Sequence, residues 1–177
     1  MKRIFDICIA SIALLCLSPI FIWVAYKVRK NLGSPIFFYQ ERPGENAQIF
    51  KMIKFRSMLD AVDKHGNPLP DDQRITPFGQ KLRSTSLDEM PQLINVLKGD
   101  MSIVGPRPQM KDFLDHYTPE QMRRHEVKPG MTGLAQVSGR NNLSWEEKFD
   151  LDVQYVETRS ILLDFKIMCK TVKVMLN

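Results

Sequence analysis

The chain has 177 residues, enough for one domain with a modest core, and its 44% hydrophobic and 25% charged residues are ordinary values for a globular protein. A formal net charge of +5 favours an anionic partner, such as nucleic acid, an acidic membrane surface or a phosphorylated substrate, without choosing among them. Cys8, Cys16 and Cys169 form no CxxC motif and the histidines form no ligand pattern, which argues against a disulfide framework or a zinc site.

The most prominent feature of the sequence is an apolar run at residues 4–28, in which Asp6 is the only charge before Lys27. The run is long enough to cross a bilayer, and no small-residue cleavage site follows it, which argues against a signal peptide. Ser18-Pro19 interrupts the run, and proline removes one hydrogen bond from a helix. The pieces on either side, 4–17 and 20–29, are each too short to cross ~30 Å of hydrocarbon.

Both flanks of this run are basic, with Lys2 and Arg3 before it and Lys27, Arg29 and Lys30 after it. Because Lys and Arg favour the cytoplasmic side of a membrane, both ends are expected there. We therefore predict a re-entrant helix-break-helix over residues 1–30, bent at Ser18 and Pro19, that enters and leaves one leaflet. A straight spanning helix with a mild proline kink is the alternative.

The middle of the chain predicts a short β-hairpin followed by helices. Residues 36–40 and 49–57 carry β-type side chains on either side of a Pro43-Gly44-Glu45-Asn46 turn. The polar stretch 60–72 is expected to be a loop. The helices are expected at 77–83, 87–97, 108–117, 119–124 and 145–158. The sequence contains no GxxxxGK[ST], GxGxxG or GxSxG motif, which argues against P-loop, Rossmann and α/β-hydrolase chemistry.

The C-terminal segment predicts a basic amphipathic helix. Its apolar residues recur at three- and four-residue steps beside three lysines. They are Ile161, Phe165, Met168, Val172 and Met175, with Lys166, Lys170 and Lys173. Such a helix either lies on an anionic membrane surface or packs on the core, and the apolar N-terminal run favours the membrane.

An acidic pair, Asp88 and Glu89, stands at the expected start of a helix, where Pro91 is well tolerated. Backbone N–H groups at a helix start favour negative charge, so both carboxylates are expected to be ionised and phosphate is favoured nearby. The alternative is structural, because Ser86-x-x-Glu89 matches a capping box in which Glu89 only satisfies a backbone donor.

Basic residues on short or stiff segments accompany this pair: Lys54 and Arg56 end the hairpin, Arg107 lies in a Gly-Pro-Arg-Pro turn, and Arg140 follows Gly139. Arginine is preorganised for bidentate contacts with phosphate. Each cation alone would be a solvated surface charge. Together with two carboxylates they favour phosphoryl transfer, in which one carboxylate is a nucleophile and another holds a divalent cation, normally Mg²⁺.

These segments resemble the small monotopic phosphoglycosyltransferases, a family of bacterial sugar transferases, in order and over nearly the whole chain. The matching segments include Lys2-Arg-Ile-Phe-Asp6, Ser18-Pro19, Gln40-x-Arg-Pro-Gly44, Phe50-x-x-x-Lys-Phe-Arg-Ser-Met58, Leu82-Arg-x-x-Ser-Leu-Asp-Glu-x-Pro-Gln-Leu93, Val104-Gly-Pro-Arg-Pro108, Lys128-Pro-Gly-x-Thr-Gly133 and Gln136-Val-x-Gly-Arg140. The resemblance implies an α+β, mainly helical monotopic membrane protein with a re-entrant helix at 1–30 and amphipathic interfacial helices. Residues 31–177 would form a membrane-associated catalytic domain on the cytoplasmic face of the bacterial inner membrane.

The resemblance also implies a two-step reaction that starts glycoconjugate synthesis. Asp88 would attack the sugar-bearing phosphate of a UDP-sugar and release UMP, and undecaprenyl phosphate would then attack the phosphosugar–aspartyl intermediate. Glu89, with Asp88, would bind Mg²⁺ and would help to deprotonate the acceptor. Nucleic acid would not be a partner.

The remaining site residues follow from the same resemblance. Lys54, Arg56, Arg107 and Arg140 would bind substrate, and Asp152, in a Leu-Asp-Val-x-Tyr-Val segment, would support the site. Within the family the chain is most similar to the transferase that starts N-linked protein glycosylation with UDP-diacetylbacillosamine, although no residue identifies that sugar. The alternatives are a membrane-bound glycosyltransferase that releases UDP and a basic protein that only binds anionic lipid or nucleic acid.

Overall fold

The computed structural model describes residues 1–139 and 142–176 and shows a mainly helical α+β fold. The α-helices are α1 (Lys2–Leu32), α2 (Asp71–Arg74), α3 (Pro77–Ser84), α4 (Gln92–Lys98), α5 (Pro119–Met122), α6 (Leu134–Ser138), α7 (Trp145–Thr158) and α8 (Ile161–Leu176). The strands are β1 (Phe37–Pro43), β2 (Ile49–Phe55), β3 (Ser102–Val104) and β4 (Gly130–Thr132). Short 3₁₀ turns cover Glu45–Ala47, Leu87–Glu89, Lys111–His116 and Arg123–Glu126.

Helix α1 continues through Pro19, so the predicted break between residues 4–17 and 20–29 is wrong at the level of secondary structure. Proline at position 19 has no N–H for the carbonyl of Leu15, four residues earlier. The Ser18 hydroxyl donates to that carbonyl at 2.8 Å and supplies the missing donor. Because a neighbouring serine can satisfy a carbonyl that proline frees, the helix persists at this point. The re-entrant topology stays a prediction.

Polar contacts fix the two ends of α1 to the rest of the fold. Near the N-terminus, the buried Asp6 carboxylate accepts hydrogen bonds from the Ser102 hydroxyl at 2.9 Å and the Ile103 N–H at 3.1 Å. At the C-terminus, the Arg56 guanidinium donates to the carbonyls of Leu32 and Ser34. The one acidic residue in the apolar run is therefore explained by a protein partner and not by the membrane.

The core consists of two apolar clusters, and α1 contributes to both. Ala10 belongs to the cluster built on α4, β3 and α7, whereas Val24 and Val28 pack with Phe55 and Leu82 in the other. The remaining surface of α1 is exposed and apolar. Its exposed residues include Ile12, Leu15, Ile22, Trp23 and Tyr26. Among the described residues, α1 is the one helix long and apolar enough to cross a membrane.

The hairpin prediction is confirmed. Strands β1 and β2 pair antiparallel from Phe37–Phe55 to Pro43–Ile49, around the 3₁₀ turn. The buried Asn95 side chain joins this hairpin to α4, because it accepts from the Ile53 N–H and donates to the Lys51 carbonyl, both at 2.9 Å. The residues before α4 are thereby fixed beside the end of β2.

The other helix predictions have mixed outcomes. Those at 77–83 and 145–158 are confirmed by α3 and α7, and α7 begins with a capping box between Ser144 and Glu147. The helix predicted at 87–97 starts as a 3₁₀ turn and becomes α-helical only at Gln92, after Pro91. The helix predicted at 119–124 ends at Met122 and continues as a 3₁₀ turn.

The prediction of an α-helix at 108–117 is wrong, since this segment contains only the 3₁₀ turn Lys111–His116. Met110 is extended and precedes the turn. Phe113 packs its ring 5.2 Å from that of Trp145 at the start of α7, and 6.3 Å from that of Tyr117. Aromatic packing, which the local sequence pattern does not report, therefore fixes this turn.

Helix α8 forms as predicted, and the structure shows which of its faces meets the core. Asp164 and Ile167 are each 1% exposed, and Asp164 accepts from the Tyr155 hydroxyl at 2.7 Å. Phe165 and Val172, on the predicted apolar face, are 57% and 59% exposed. That face therefore packs on the core only in part, through Met168, and its exposed residues remain open to a membrane surface. The side chain of Met175 lies outside the described set.

Candidate active site

The acidic pair lies on the 3₁₀ turn Leu87–Glu89, just before α4. Ser86 is left-handed, with φ 56°, and its side chain makes no capping hydrogen bond. The capping-box alternative for Glu89 is therefore wrong. The Glu89 carboxylate contacts two cations instead, one from β2 and one from the turn after β3.

Lys54 and Arg107 hold Glu89. The Lys54 ammonium lies 2.8 Å from Oε1, and the Arg107 guanidinium donates to Oε1 at 2.6 Å and to Oε2 at 3.1 Å. Burial alone would raise the pKa of Glu89, but the two cations outweigh burial and lower the pKa to about 2. Glu89 is therefore a fixed anion at neutral pH, as predicted from the sequence.

Asp88 has a different environment from its neighbour. It is 7% exposed, and the structure shows no salt bridge to it within the described residues. Burial and the charge of Glu89 raise its pKa, while Lys54 and Arg83 oppose that shift. The pKa of Asp88 thus shifts in the opposite direction to that of Glu89, and the expectation that both carboxylates are ionised stays a prediction for Asp88. An ionised Asp88 oxygen here is poorly hydrated, which suits a nucleophile.

Two close-packed turns position Arg107. Strands β3 and β4 pair parallel. Gly105, in the turn that follows β3, packs against Gly130, the first residue of β4. A Cβ added to Gly130 would lie 2.1 Å from the Gly105 nitrogen, so only glycine allows this approach. The Gly-Pro-Arg-Pro turn is consequently held in one place and directs Arg107 toward Glu89.

Asp152 supports this turn through an arginine that the sequence analysis missed. The Arg124 guanidinium donates to Asp152 Oδ2 at 2.6 Å and to the Arg107 carbonyl at 2.7 Å. Arg124 is 2% exposed and Asp152 is 4% exposed. Asp152 therefore contacts Arg124 and acts on the site by positioning. Because Arg123 and Arg124 are adjacent and of one residue type, no local pattern indicates which of them is buried.

Arg56, another predicted substrate-binding residue, does not join Lys54 and Arg107. It donates to the carbonyls of Leu32 and Ser34 at the C-terminal end of α1 and to Asp60 at 2.6 Å, and none of its described hydrogen bonds reaches the acidic pair. Arg140 lies outside the described residues. Arg83, which was not predicted, interacts electrostatically with Asp88 and donates to the Ser57 hydroxyl at 2.9 Å.

A cleft of about 230 Å³ lies beside the acidic pair, since both cations that hold Glu89 line it. Arg42 also lines the cleft and was missed, although it occurs in the Gln40-x-Arg-Pro-Gly44 segment. The lining also includes Met110, Phe113 and Trp145. The cleft thus combines several cations with aromatic rings.

The residues fit a divalent cation with few protein ligands. No group of three or more His, Cys, Asp or Glu side chains forms a metal cluster in the part of the chain that the structure describes. Mg²⁺, however, is commonly held by one or two carboxylates, with waters and substrate phosphates as the other ligands. Asp88 and Glu89 supply such a pair. Three of the lone-pair positions of Glu89 are used by Lys54 and Arg107, which leaves room for one metal contact.

Comparison with known proteins identifies the family. The chain matches the family described as "Bacterial sugar transferase" over residues 1–177. A Bacillus subtilis (strain 168) protein named "Uncharacterized sugar transferase EpsL" is 53% identical over 173 residues, which cover 98% of this chain and 86% of that protein.

Two further relatives have more specific names. The "Undecaprenyl-phosphate galactose phosphotransferase" of Salmonella typhimurium is 40% identical, over 100% of this chain and 40% of that protein. The "UDP-glucose:undecaprenyl-phosphate glucose-1-phosphate transferase" of Klebsiella pneumoniae is 41% identical, over 97% of this chain and 39% of that protein. The matched region is thus about two fifths of these longer proteins, and the family match covers the acidic pair and its cations. The chain belongs to the bacterial sugar transferase family.

Proposed function

We propose that this protein transfers a sugar 1-phosphate from a UDP-sugar to undecaprenyl phosphate, releases UMP, and thereby starts the synthesis of a glycoconjugate. The observation that carries the proposal is the contrast within the acidic pair. Asp88 is buried without a salt bridge among the described residues, whereas Glu89 is neutralised by Lys54 and Arg107. One carboxylate is thus available as a nucleophile beside cations that suit phosphate oxygens.

The proposed reaction has two displacements at one phosphorus atom. In the first, an Asp88 carboxylate oxygen bonds to the sugar-bearing phosphorus, and the bond from that phosphorus to the bridging oxygen breaks, so UMP leaves with the electron pair. In the second, a phosphate oxygen of undecaprenyl phosphate bonds to the same phosphorus, and the acyl-phosphate bond to Asp88 breaks. The products are a polyprenyl diphosphate sugar and a regenerated carboxylate.

The surrounding residues have separate tasks in this proposal. Lys54 and Arg107 hold Glu89 and present positive charge where the leaving phosphate develops negative charge. Mg²⁺ bound by Asp88 and Glu89 would neutralise phosphate charge at the reacting centre. Arg124 and Asp152 keep the Arg107 turn in position. Arg140 remains a proposed substrate contact on the basis of the resemblance alone.

The fold supports a monotopic position, and the basic flanks of α1 are the reason to propose the cytoplasmic face of the inner membrane. Contacts near both ends of α1 go to the same domain, through Asp6 and Leu32. A helix attached in this way does not place its ends on opposite sides of a bilayer unless the domain crosses it too. The exposed apolar residues of α1 and α8 then face lipid.

Labelling tests this topology. In a variant whose native cysteines are replaced, single cysteines introduced before Met1 and at Lys30 should react with an impermeant thiol reagent from the cytoplasmic side only. Reaction of the two positions from opposite sides would refute the re-entrant arrangement. The same pair of labels in Pro19→Ala would show whether Pro19 is needed for it, and an unchanged pattern would argue against a role for Pro19.

The donor sugar remains a prediction. The resemblance favours UDP-diacetylbacillosamine, while two relatives carry galactose and glucose in their names. The purified protein should therefore be incubated with Mg²⁺, undecaprenyl phosphate and these UDP-sugars, and the released nucleotide should be identified. We expect UMP that requires the lipid and is lost in Asp88→Asn. Asp115→Asn, at an exposed aspartate, is the matched control. Release of UDP would instead support the glycosyltransferase alternative.

A further inference from the structure

Arg42 is a buried cation without a described anionic partner. It is 9% exposed, its Nε atom makes no hydrogen bond, and no salt bridge joins it to an acid in the described residues. Buried charges in proteins are normally paired, because removing a charge from water is costly. The burial of Arg42 and the nearby charge of Arg107 lower its pKa more than the charge of Glu89 raises it. The side chain therefore lies where a negative charge would be stabilised.

The charges around the cleft do not balance. Arg42, Lys54 and Arg107 all line it, and the nearest acid, Glu89, already binds the latter two. A dianionic phosphate placed between Arg42 and Arg107 would offset this excess of positive charge and would accept hydrogen bonds from the Arg42 guanidinium, whose Nε has no partner. Phosphate is also the chemical group that the proposed reaction brings to this place.

The aromatic part of the cleft lining suits a planar ring. Trp145 is 48% exposed, its ring lies 5.2 Å from that of Phe113 and 5.8 Å from that of Phe149, and the Lys148 ammonium lies 4.7 Å from its centroid. These neighbours fix the indole while leaving part of its surface open to solvent. An exposed aromatic surface stabilises a nucleobase by stacking. At about 230 Å³ the cleft is also below the ~300–1,000 Å³ typical of pockets for drug-sized ligands, so it suits a nucleotide fragment and not a polyprenyl chain.

We propose that this cleft is the nucleotide subsite, in which Arg42 binds the phosphate that leaves with the nucleoside and Trp145 covers the pyrimidine base. The inference rests on the proposed function, because it assigns a binding site to the UMP half of the donor. Lys54 and Arg107 would then lie between that phosphate and the acidic pair. The sugar-bearing phosphate would meet Asp88 at the inner end of the cleft.

Binding of UMP, uridine and inorganic phosphate to the intact protein tests the subsite without turnover. Arg42→Gln should weaken UMP and phosphate binding about tenfold or more and leave uridine binding unchanged. Trp145→Leu should weaken UMP and uridine binding and spare phosphate. Arg159→Gln, which removes one exposed positive charge, should change none of them. Equal UMP binding by Arg42→Gln and the wild type would overturn the proposal.

Thermal unfolding separates this role from a structural one. If Arg42 binds a ligand, Arg42→Gln removes an uncompensated buried charge, so its Tm without ligand should equal or exceed that of the wild type. Saturating UMP should raise the Tm of the wild type more than that of the variant. A lower Tm in Arg42→Gln together with an unchanged UMP-induced shift would show that Arg42 only supports the fold.

Turnover shows which proposal fails. If UMP binds through Arg42 but no donor gives lipid-dependent UMP release, the subsite stands and the proposed function fails. If UMP is released and Arg42→Gln leaves KM for the donor unchanged, the proposed function stands and the subsite fails.

Discussion

Loss of the Asp152 charge should both destabilise the fold and impair the site. Asp152→Asn leaves the Arg124 guanidinium buried without a counterion, at 2% exposure, with the rings of Tyr117 and Phe149 5.5 Å and 5.4 Å from it. Removal of one partner from a buried ion pair costs about 3–5 kcal/mol. Asparagine keeps the shape and one acceptor, so we expect the lower end, about 3 kcal/mol. For a domain of this size that is a fall in Tm of roughly 6–12 °C.

The assay is thermal unfolding in detergent, with lipid-dependent UMP release measured well below the lower Tm. Because Arg124 also binds the Arg107 carbonyl, kcat should fall even where Asp152→Asn is fully folded. Asp150→Asn is the control, at an exposed aspartate on the same helix. The double variant Arg124→Gln with Asp152→Asn should recover part of the stability, since no unpaired charge remains. A Tm for Asp152→Asn within about 1 °C of the wild type would refute this reasoning.

Two further predictions concern His125 and Arg56. Burial, reinforced by the charge of Arg124, lowers the pKa of His125 from 6.5 to about 4, so the folded state keeps it neutral while the unfolded state gains a proton. This stabilisation is complete above pH 6.5 and is lost as pH falls toward 4. His125→Gln should therefore flatten the decline in the free energy of unfolding between pH 7 and 5, as measured by urea unfolding. An unchanged slope would contradict this prediction. Arg56→Gln should release the end of α1 and speed proteolysis at residues 33–35, whereas Asp60→Asn, which alters a largely exposed partner, should not; equal rates for Arg56→Gln and the wild type would contradict the clamp.

Local patterns predicted those elements whose signals are local. Helix α7 was predicted with its observed bounds, and the structure shows that Ser144 and Glu147 cap it; the hairpin followed from β-type residues around a turn. The acidic pair and two of its cations, Lys54 and Arg107, were also found from sequence and are brought together by the fold. Residue type and the stiffness of the turns were sufficient to predict these elements and site residues.

The sequence was insufficient where a partner comes from a distant segment. The break predicted at Pro19 is wrong for a local reason instead, because the hydroxyl of the neighbouring Ser18 preserves the helix. Arg56 has the same charge as Lys54 two positions earlier, but β2 ends at Phe55, and Arg56 beyond the strand contacts the carbonyl of Leu32 at the end of α1. Arg42 and Arg124 are buried arginines, and burial of an arginine is decided by tertiary packing that no single-sequence pattern reports. Their discovery required the structure.

In the proposed reaction, the Asp88 carboxylate forms an acyl-phosphate bond with the sugar phosphate. The most direct measurement is the intact mass of the protein after incubation with Mg²⁺ and the donor that gives UMP release, without undecaprenyl phosphate, followed by peptide mapping. We expect a mass increase of one sugar phosphate on the peptide containing Asp88. The increase should be removed by added undecaprenyl phosphate, present in Asp115→Asn and absent in Asp88→Asn. The same adduct on Asp88→Asn, or rapid turnover by the wild type with no adduct on Asp88 at any time, would contradict the proposed reaction.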